Sequence, residues 1–296
     1  MATFGRLITA MITPFNDEGE VDYAQARRLA QALVASGTEA LVLSGTTGET
    51  PTLTPAEKLR LYAEVKDALG GRAPIIAGAT NYNTAESIEQ VRQAERVGVD
   101  GILATVPYYN KPPQEGLYQH FAAIARSTQL PVIVYNVPSR TVTNLAAETA
   151  IRLSHIDNIV GVKEASANYE QIAKIMDGAR PDFLVWSGND SDTLPILAMG
   201  GYGIVSVVSH LVGRQIRGMI QAFLAGDRNR AAAEHRRLLP LVNAMFIVSN
   251  PIPLKYALNR VGFRVGKPRL PLVELDAKSA ATVDAVLKNY AIDLLS

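Results

Sequence analysis

Eight short apolar runs, rich in β-branched residues, recur along the 296-residue chain and constrain its fold more than any other feature. Their starts are about 20 to 35 residues apart, which is the spacing of βα units. We interpret the runs as buried strands, because the strands of a parallel sheet covered on both faces are almost continuously apolar. They lie at residues 7–12, 40–43, 74–77, 101–105, 132–135, 159–162, 183–186 and 204–208.

The segments between these runs have the apolar periodicity of amphipathic helices. Thr54-Pro55-Ala56-Glu57 predicts a helix start, with Thr54 as the cap, Pro55 in the first turn and Glu57 completing a capping box. Further helix patterns lie at residues 22–35, 84–94, 114–125 and 169–176.

Eight strand–helix units within about 225 residues predict an α/β protein with a (β/α)₈ TIM barrel. The alternative is an open, doubly wound sheet. A dinucleotide-binding sheet is disfavoured, because no G-x-G-x-x-G follows the first apolar run.

The strand runs stop before Leu224, and helix patterns follow at residues 228–243, 253–261 and 277–295. We therefore expect a barrel catalytic domain over residues 1–225 and a helical C-terminal region over residues 226–296. Nothing between them has the composition of a flexible linker.

The composition excludes several classes of function. A net charge of +1 creates no strong field for nucleic acid or an anionic membrane. The absence of cysteine excludes disulfides, thiolate metal sites and cysteine nucleophiles. The N-terminal segment lacks the basic and apolar regions of a signal peptide, and no apolar stretch is long enough to cross a bilayer. These features predict a soluble cytoplasmic protein.

Lys163 is the most informative single residue, because it ends the apolar run at residues 159–162. Burial lowers the pKa of an amine, and a neutral amine is a nucleophile that forms a Schiff base with a carbonyl. The alternative is a lysine whose stem lies along the strand end while its ammonium reaches solvent.

Polar side chains also follow other predicted strands. Thr46 and Thr47 lie in a glycine-rich turn, Tyr109 follows the fourth run, and Arg140 follows the fifth, which ends in Tyr135. Each has an ordinary alternative, as a turn residue, a buried tyrosine or a surface ion-pair partner. In a barrel the C-terminal strand ends meet at one face, so these side chains would converge with Lys163.

Other chemistries fit poorly. Asp190-Ser191-Asp192 is interpreted as a helix cap rather than an acid/base pair. No G-x-S-x-G, Walker or EF-hand motif is present. Four histidines lack metal-ligand spacing and are predicted to be structural or solvated; they are His120, His155, His210 and His235.

Five of these segments together resemble the dihydrodipicolinate synthase family, a branch of the pyruvate-dependent class I aldolases that include N-acetylneuraminate lyase. The resemblance extends from the first strand to the C-terminal helices. The segments that carry it are residues 45–49, 107–110, 135–141, 161–165 and 250–255.

The resemblance implies a mechanism. Lys163 would form a protonated imine with pyruvate, and Tyr135 would be the general acid/base. Thr46 and Tyr109 would complete a proton relay, with Tyr109 supplied by the neighbouring subunit. The family is commonly a dimer of dimers, so a homotetramer is expected.

The resemblance also assigns substrate contacts. Thr47 would hold the pyruvate carboxylate, and Arg140 would hold the carboxylate of L-aspartate 4-semialdehyde. Gly188 and the carbonyl of Val205 would line the pyruvate pocket. The implied product is 4-hydroxy-tetrahydrodipicolinate of the diaminopimelate and lysine pathway, made without a metal or an organic cofactor.

Two departures from the family pattern stand out. Val142 replaces the usual glycine beside Arg140. At the family's lysine feedback site, feedback-sensitive members often have histidine where Pro55 and Lys58 stand and asparagine where Tyr82 stands. Lys58 would repel a lysine ligand and Tyr82 would crowd it, so weak or absent feedback is expected. The remaining positions of that site are Thr50, Pro51, Glu86 and Tyr108.

Two other functions remain open. A related aldolase or lyase would act on a sugar acid or another aldehyde, and Arg140 argues for the short acidic aldehyde instead. A non-catalytic barrel would bind pyruvate-like acids as a sensor or scaffold, because fold alone does not determine function.

Overall fold

The computed structural model describes residues 4–294. Eight parallel strands form a closed barrel in chain order. They are β1 (Leu7–Ala10), β2 (Ala40–Leu43), β3 (Ile75–Ala77), β4 (Gly101–Thr105), β5 (Val132–Asn136), β6 (Ile159–Glu164), β7 (Leu184–Ser187) and β8 (Gly203–Ser206). The predicted TIM barrel is confirmed, and the open-sheet alternative is wrong.

Helices follow the strands, and a group of helices follows β8. They are α1 (Tyr23–Ala35), α2 (Pro55–Leu69), α3 (Thr84–Val97), α4 (Gln114–Arg126), α5 (Pro138–Thr141), α6 (Ala147–Ser154), α7 (Tyr169–Gly178), α8 (Thr193–Ala198), α9 (Ser209–Leu224), α10 (Arg228–Met245), α11 (Ile252–Arg260) and α12 (Ala277–Leu287). The predicted capping box at α2 is present: Thr54 Oγ1 accepts from the Glu57 amide, and the Glu57 carboxylate accepts from the Thr54 amide.

The last helix ends earlier than its apolar periodicity predicts. α12 stops at Leu287, and the predicted end at Leu295 lies outside the described residues. Beyond the helix, the Asp293 amide donates to the Leu211 carbonyl at 2.7 Å, and the Asp293 carboxylate accepts from the Gln215 amide at 3.2 Å. Hydrogen bonds to α9 therefore replace those that a continued helix would make.

The chain divides into two compact units. One comprises the residues from Pro74 to Val205 with the N-terminal residues up to Arg6, and contains β3 to β7. The other comprises Leu7 to Ala73 and the chain from Ser206 onward, and contains β1, β2 and the C-terminal helices. The domain boundary expected at residue 225 stays a prediction.

The pairing of β5 with β6 determines which side chains share a face in the first unit. Tyr135 pairs with Lys163, and Asn136 pairs with Glu164. Because successive side chains of a strand point to opposite faces, Tyr135 and Lys163 share one face while Asn136 and Glu164 share the other. The close approach of β7 requires glycine at Gly161, where a Cβ would meet the Leu184 carbonyl.

Within residues 4–294, no helix is both long enough and apolar enough to cross a membrane.

Candidate active site

Lys163 is buried at the end of β6. Its side chain is 5% exposed, so the alternative in which its ammonium reaches solvent does not hold. Nζ lies 3.9 Å from the centre of the Tyr135 ring. Burial lowers the pKa of Lys163 to about 7, with the Asp190 carboxylate opposing the shift and the Arg140 guanidinium adding to it. A substantial fraction of the amine is therefore neutral near neutral pH.

Burial shifts the pKa of Tyr135 in the opposite direction to that of Lys163. Burial raises the pKa of its phenol to about 12, with the positive charge of Arg140 opposing the shift and the negative charge of Glu164 adding to it. The phenol therefore stays protonated at neutral pH and is available as a proton donor beside Lys163.

A buried polar network lies on the other face of the same two strands. Asn136 Nδ2 donates to both Glu164 oxygens, at 3.1 and 3.2 Å, and the Ser166 amide donates to Glu164 Oε1 at 2.8 Å. Gln171 Nε2 donates to Glu164 Oε2 at 3.4 Å. Asn136 Nδ2 also donates to Asn144 Oδ1 at 2.9 Å. Because β5 and β6 are joined through this network, it fixes the strand ends that carry Tyr135 and Lys163.

Gly188 directly follows β7, and Val205 lies in the neighbouring strand β8. A Cβ at Gly188 would lie 2.7 Å from the Ala165 Cβ, and the Gly188 amide donates to the Glu164 carbonyl at 2.7 Å. This close approach to the end of β6 requires glycine. Val205 is buried in β8. Their contacts with substrate stay predictions.

Arg140 lies in the four-residue helix α5, directly after β5, and its side chain is exposed. Val142 follows α5 as its C-cap residue, and its φ of 59° is left-handed. That conformation favours glycine, which gives a physical reason for the family's glycine at this position. Val142 is 70% exposed, so its side chain is not packed over the loop of this chain.

Tyr109 follows β4, and its side chain is 87% exposed. Its φ of 71° is uncommon for a residue other than glycine. The proton-relay role of Tyr109 and its contact with another subunit stay predictions.

Thr46 and Thr47 lie after β2, in the second compact unit. Thr47 is buried, and its hydroxyl accepts a hydrogen bond of 2.8 Å from Asn250 Nδ2. The turn begins at Ser44, whose hydroxyl is hydrogen-bonded to that of Tyr62, and it ends at Glu49. Ser44 and Glu49 both have left-handed backbones, so this turn has a specific shape.

The acidic pair at Asp190 and Asp192 lies in a turn before α8. Asp190 to Asp192 form this single 3₁₀ turn. Asp192 is the N-cap residue of α8, as the sequence predicts, but its side chain makes no capping hydrogen bond. Its carboxylate accepts instead from Tyr169 Oη at 3.0 Å and from Asn189 Nδ2 at 2.8 Å. Those side-chain donors replace the helix amides that a cap would bind.

His210 is neutral and hydrogen-bonded on both sides. Its Nδ1 donates to the Val207 carbonyl at 2.7 Å, and its Nε2 accepts from the Ile12 amide at 3.2 Å. Burial lowers the pKa of His210 to about 4, which favours this neutral form. Among residues 4–294, no three histidine, aspartate or glutamate side chains are grouped to hold a metal ion.

A model of the dihydrodipicolinate synthetase family matches residues 3–290. The chain belongs to this family. The family predicted from the five sequence segments is therefore confirmed.

Members of the family are similar to the chain over its full length. A 4-hydroxy-tetrahydrodipicolinate synthase of Dehalococcoides mccartyi is 58% identical over 294 residues, which are 99% of this chain and 99% of that relative. A dihydrodipicolinate synthase structure from Bacillus anthracis has a TM-score of 0.96 at 44% identity, covering 98% of this chain and 100% of that one. A structure of the family's enzyme from Cyanidioschyzon merolae with lysine bound has a TM-score of 0.95 at 45% identity, covering 97% of this chain and 98% of that one.

Two features of this family member were not predicted from its sequence. Glu164 had no predicted role, although its position directly after Lys163 in an apolar strand was a signal of a buried carboxylate. Lys255 ends the segment at residues 250–255 and forms a buried ion pair with Glu49, which no local pattern connects to it.

Proposed function

We propose that the chain catalyses the reaction of 4-hydroxy-tetrahydrodipicolinate synthase, the condensation of pyruvate with L-aspartate 4-semialdehyde. The observation that carries the proposal is the buried amine of Lys163, which has a lowered pKa and lies 3.9 Å from the Tyr135 ring. Membership of the family and the names of its close relatives support the same reaction.

The first half-reaction makes a nucleophile from pyruvate. The neutral amine of Lys163 attacks the keto carbon, and the resulting carbinolamine loses water to form a protonated imine. The cationic imine withdraws electrons from the adjacent methyl group. Loss of a methyl proton then leaves its electron pair in an enamine.

Tyr135 donates and accepts the protons that these steps transfer. Its protonated phenol donates a proton to the carbinolamine hydroxyl, which leaves as water. The phenolate is then available to accept a methyl proton. Thr46 and Tyr109 connect Tyr135 with solvent as a proton relay, with Tyr109 supplied by a neighbouring subunit.

The second half-reaction joins the two substrates. The enamine carbon attacks the aldehyde carbon of the semialdehyde, and the new alkoxide takes a proton from Tyr135. The amine of the second substrate then attacks the imine carbon, which closes the ring and releases Lys163.

Four residues hold the substrates in this scheme. The hydroxyl of Thr47 and nearby backbone amides bind the pyruvate carboxylate, while Gly188 and the carbonyl of Val205 line its pocket. Arg140 binds the carboxylate of the semialdehyde through its planar guanidinium. Its position in the short helix α5, directly after the strand that carries Tyr135, supports this role.

The assembly and the location belong to the same proposal. A homotetramer built as a dimer of dimers would allow Tyr109 to act between subunits, and its exposed side chain supports such a contact. The expected location is the cytoplasm.

Pyruvate consumption by the purified protein, with and without L-aspartate 4-semialdehyde, tests the reaction. The proposal requires consumption that depends on the semialdehyde and is lost in Lys163→Ala. Consumption with other aldehydes but not with the semialdehyde would instead indicate a related aldolase.

A further inference from the structure

The second compact unit contains a buried ion pair that the mechanism above does not use. Lys255 Nζ lies 2.6 Å from Glu49 Oε1, and the two side chains are 1% and 0% exposed. Glu49 ends the turn that contains Thr46 and Thr47, whereas Lys255 lies in α11 near the other end of the chain.

Each member of the pair makes a further hydrogen bond. Lys255 Nζ donates to the Lys267 carbonyl at 3.2 Å and lies 3.9 Å from the centre of the Phe15 ring. Glu49 Oε2 accepts from the Arg269 amide at 2.9 Å. The carboxylate is therefore held from two sides, and its position is closely defined.

Stability alone does not explain such a pair. Removing two charges from water is costly, and well-packed apolar residues in their place are often equally stable or more stable. What the pair supplies is orientation, because an ion pair with further hydrogen bonds tolerates little displacement.

The segment at residues 250–255 also contacts the turn at residues 44–49 through a second pair of residues. Asn250 Nδ2 donates to the Thr47 hydroxyl at 2.8 Å, and Asn250 lies five residues before Lys255. A hydroxyl oxygen that accepts this hydrogen bond keeps its own proton for another acceptor. The contact therefore leaves Thr47 ready to donate to an anion.

We propose that Glu49 and Lys255 are positioning residues, which fix the turn so that the hydroxyls of Thr46 and Thr47 have the orientation that catalysis requires. The proposal rests on the function proposed above for these two threonines. Neither Glu49 nor Lys255 contacts substrate in this scheme.

Three variants separate positioning from stability: Glu49→Gln, Lys255→Met and the double variant. Each single variant leaves a buried charge unpaired and lowers the melting temperature. The double variant removes both charges and regains most of the melting temperature. Its kcat/KM for pyruvate stays about tenfold to a hundredfold below that of the wild type, because the turn is no longer fixed.

The matched control is the ion pair between Lys267 and Glu274, in which Lys267 Nζ lies 2.9 Å from Glu274 Oε2. The two side chains are 71% and 63% exposed. Lys267→Met should leave both melting temperature and kcat/KM unchanged. A double variant that regains stability together with wild-type kcat/KM would assign the pair a structural role only and overturn the proposal.

Hydrogen exchange tests the positioning without relying on activity. The Glu49 amide donates to the Thr46 carbonyl, and the Thr50 amide donates to the Gly45 carbonyl. In the double variant, exchange of the peptide covering residues 44–50 should accelerate about tenfold or more, with Lys267→Met as the control. Unchanged exchange would overturn the proposal. If the wild type shows no reaction with pyruvate, the proposed function fails, and accelerated exchange would still establish that the pair fixes the turn.

Discussion

The side-chain nitrogen of Lys163 lies 3.9 Å from the centre of the Tyr135 ring, and the two residues pair in register across β5 and β6. Burial shifts the pKa values of the two groups in opposite directions. It lowers the pKa of Lys163 to about 7 and raises the pKa of Tyr135 to about 12. Both shifts favour the uncharged form. A neutral amine and a protonated phenol are the forms that imine formation requires.

The rate of pyruvate capture should depend on the ionisation of Lys163. Only the neutral amine attacks, so the rate should fall about tenfold per pH unit below a pKa near 7 and level off above it. Single-turnover trapping of the imine with borohydride, at pH values below and above 7, measures this rate. A profile that keeps rising to the usual lysine pKa would show that burial does not lower the pKa of this amine.

Replacing Arg140 should weaken the use of L-aspartate 4-semialdehyde more than the use of pyruvate. Arg140→Ala removes a charge-assisted pair of hydrogen bonds, so KM for L-aspartate 4-semialdehyde should rise about tenfold or more. KM for pyruvate should change by less than about twofold. Steady-state kinetics with each substrate varied in turn measures both, and Arg126→Ala, at the exposed end of α4, is the control. Equal effects on the two KM values would contradict the assigned role.

Replacing Val142 by glycine should stabilise the protein. Its left-handed φ of 59° strains a β-branched residue by about 1–2 kcal/mol, while glycine adds about 0.5–1 kcal/mol of unfolded-state entropy. We expect Val142→Gly to raise the free energy of unfolding in urea by about 0.5–1 kcal/mol. Val142→Ala keeps a Cβ at the same backbone angle and is the matched control. Val142→Gly should be the more stable of the two, and the reverse order would show that this position is unstrained.

L-Lysine at low-millimolar concentration should leave the activity unchanged. Tyr82 packs edge-on against Tyr108 with 5.0 Å between ring centres, and the Glu86 carboxylate already accepts hydrogen bonds from Asn81 and Asn83. These contacts occupy groups that a lysine ligand would need.

Inhibition assays with L-lysine measure this insensitivity. The triple variant Pro55→His, Lys58→His and Tyr82→Asn restores the residues common in feedback-sensitive members and should gain inhibition. Clear inhibition of the wild type would contradict the expectation.

Local sequence patterns predicted the barrel because each strand and each helix has its own periodicity. The start of α2 was predictable for the same reason, since Thr54 and Glu57 form a capping box within four residues. The place of Lys163 at the end of an apolar run left two interpretations, a buried amine or an ammonium that reaches solvent, and the structure shows the buried one. These features depend on neighbours in the sequence.

Features that depend on distant partners were not predictable in this way. The contact of Glu49 with Lys255 joins residues near opposite ends of the chain. α12 ends at Leu287 although the apolar pattern continues, and the chain beyond it is hydrogen-bonded to α9 through Asp293. At Asp192, the distant Tyr169 of α7 donates to the carboxylate together with the nearby Asn189, so the side chain makes no capping hydrogen bond although Asp192 is the N-cap of α8.

Borohydride reduction in the presence of pyruvate, followed by peptide mass spectrometry, tests the central claim most directly. We predict that Lys163 gains the mass of one reduced pyruvyl group, and that Lys163→Ala gains none. Lys255 is the control within the same protein, because it is buried against Glu49 and should stay unmodified. No covalent mass on Lys163, or equal labelling of Lys163 and Lys255, would contradict its role as the Schiff-base lysine.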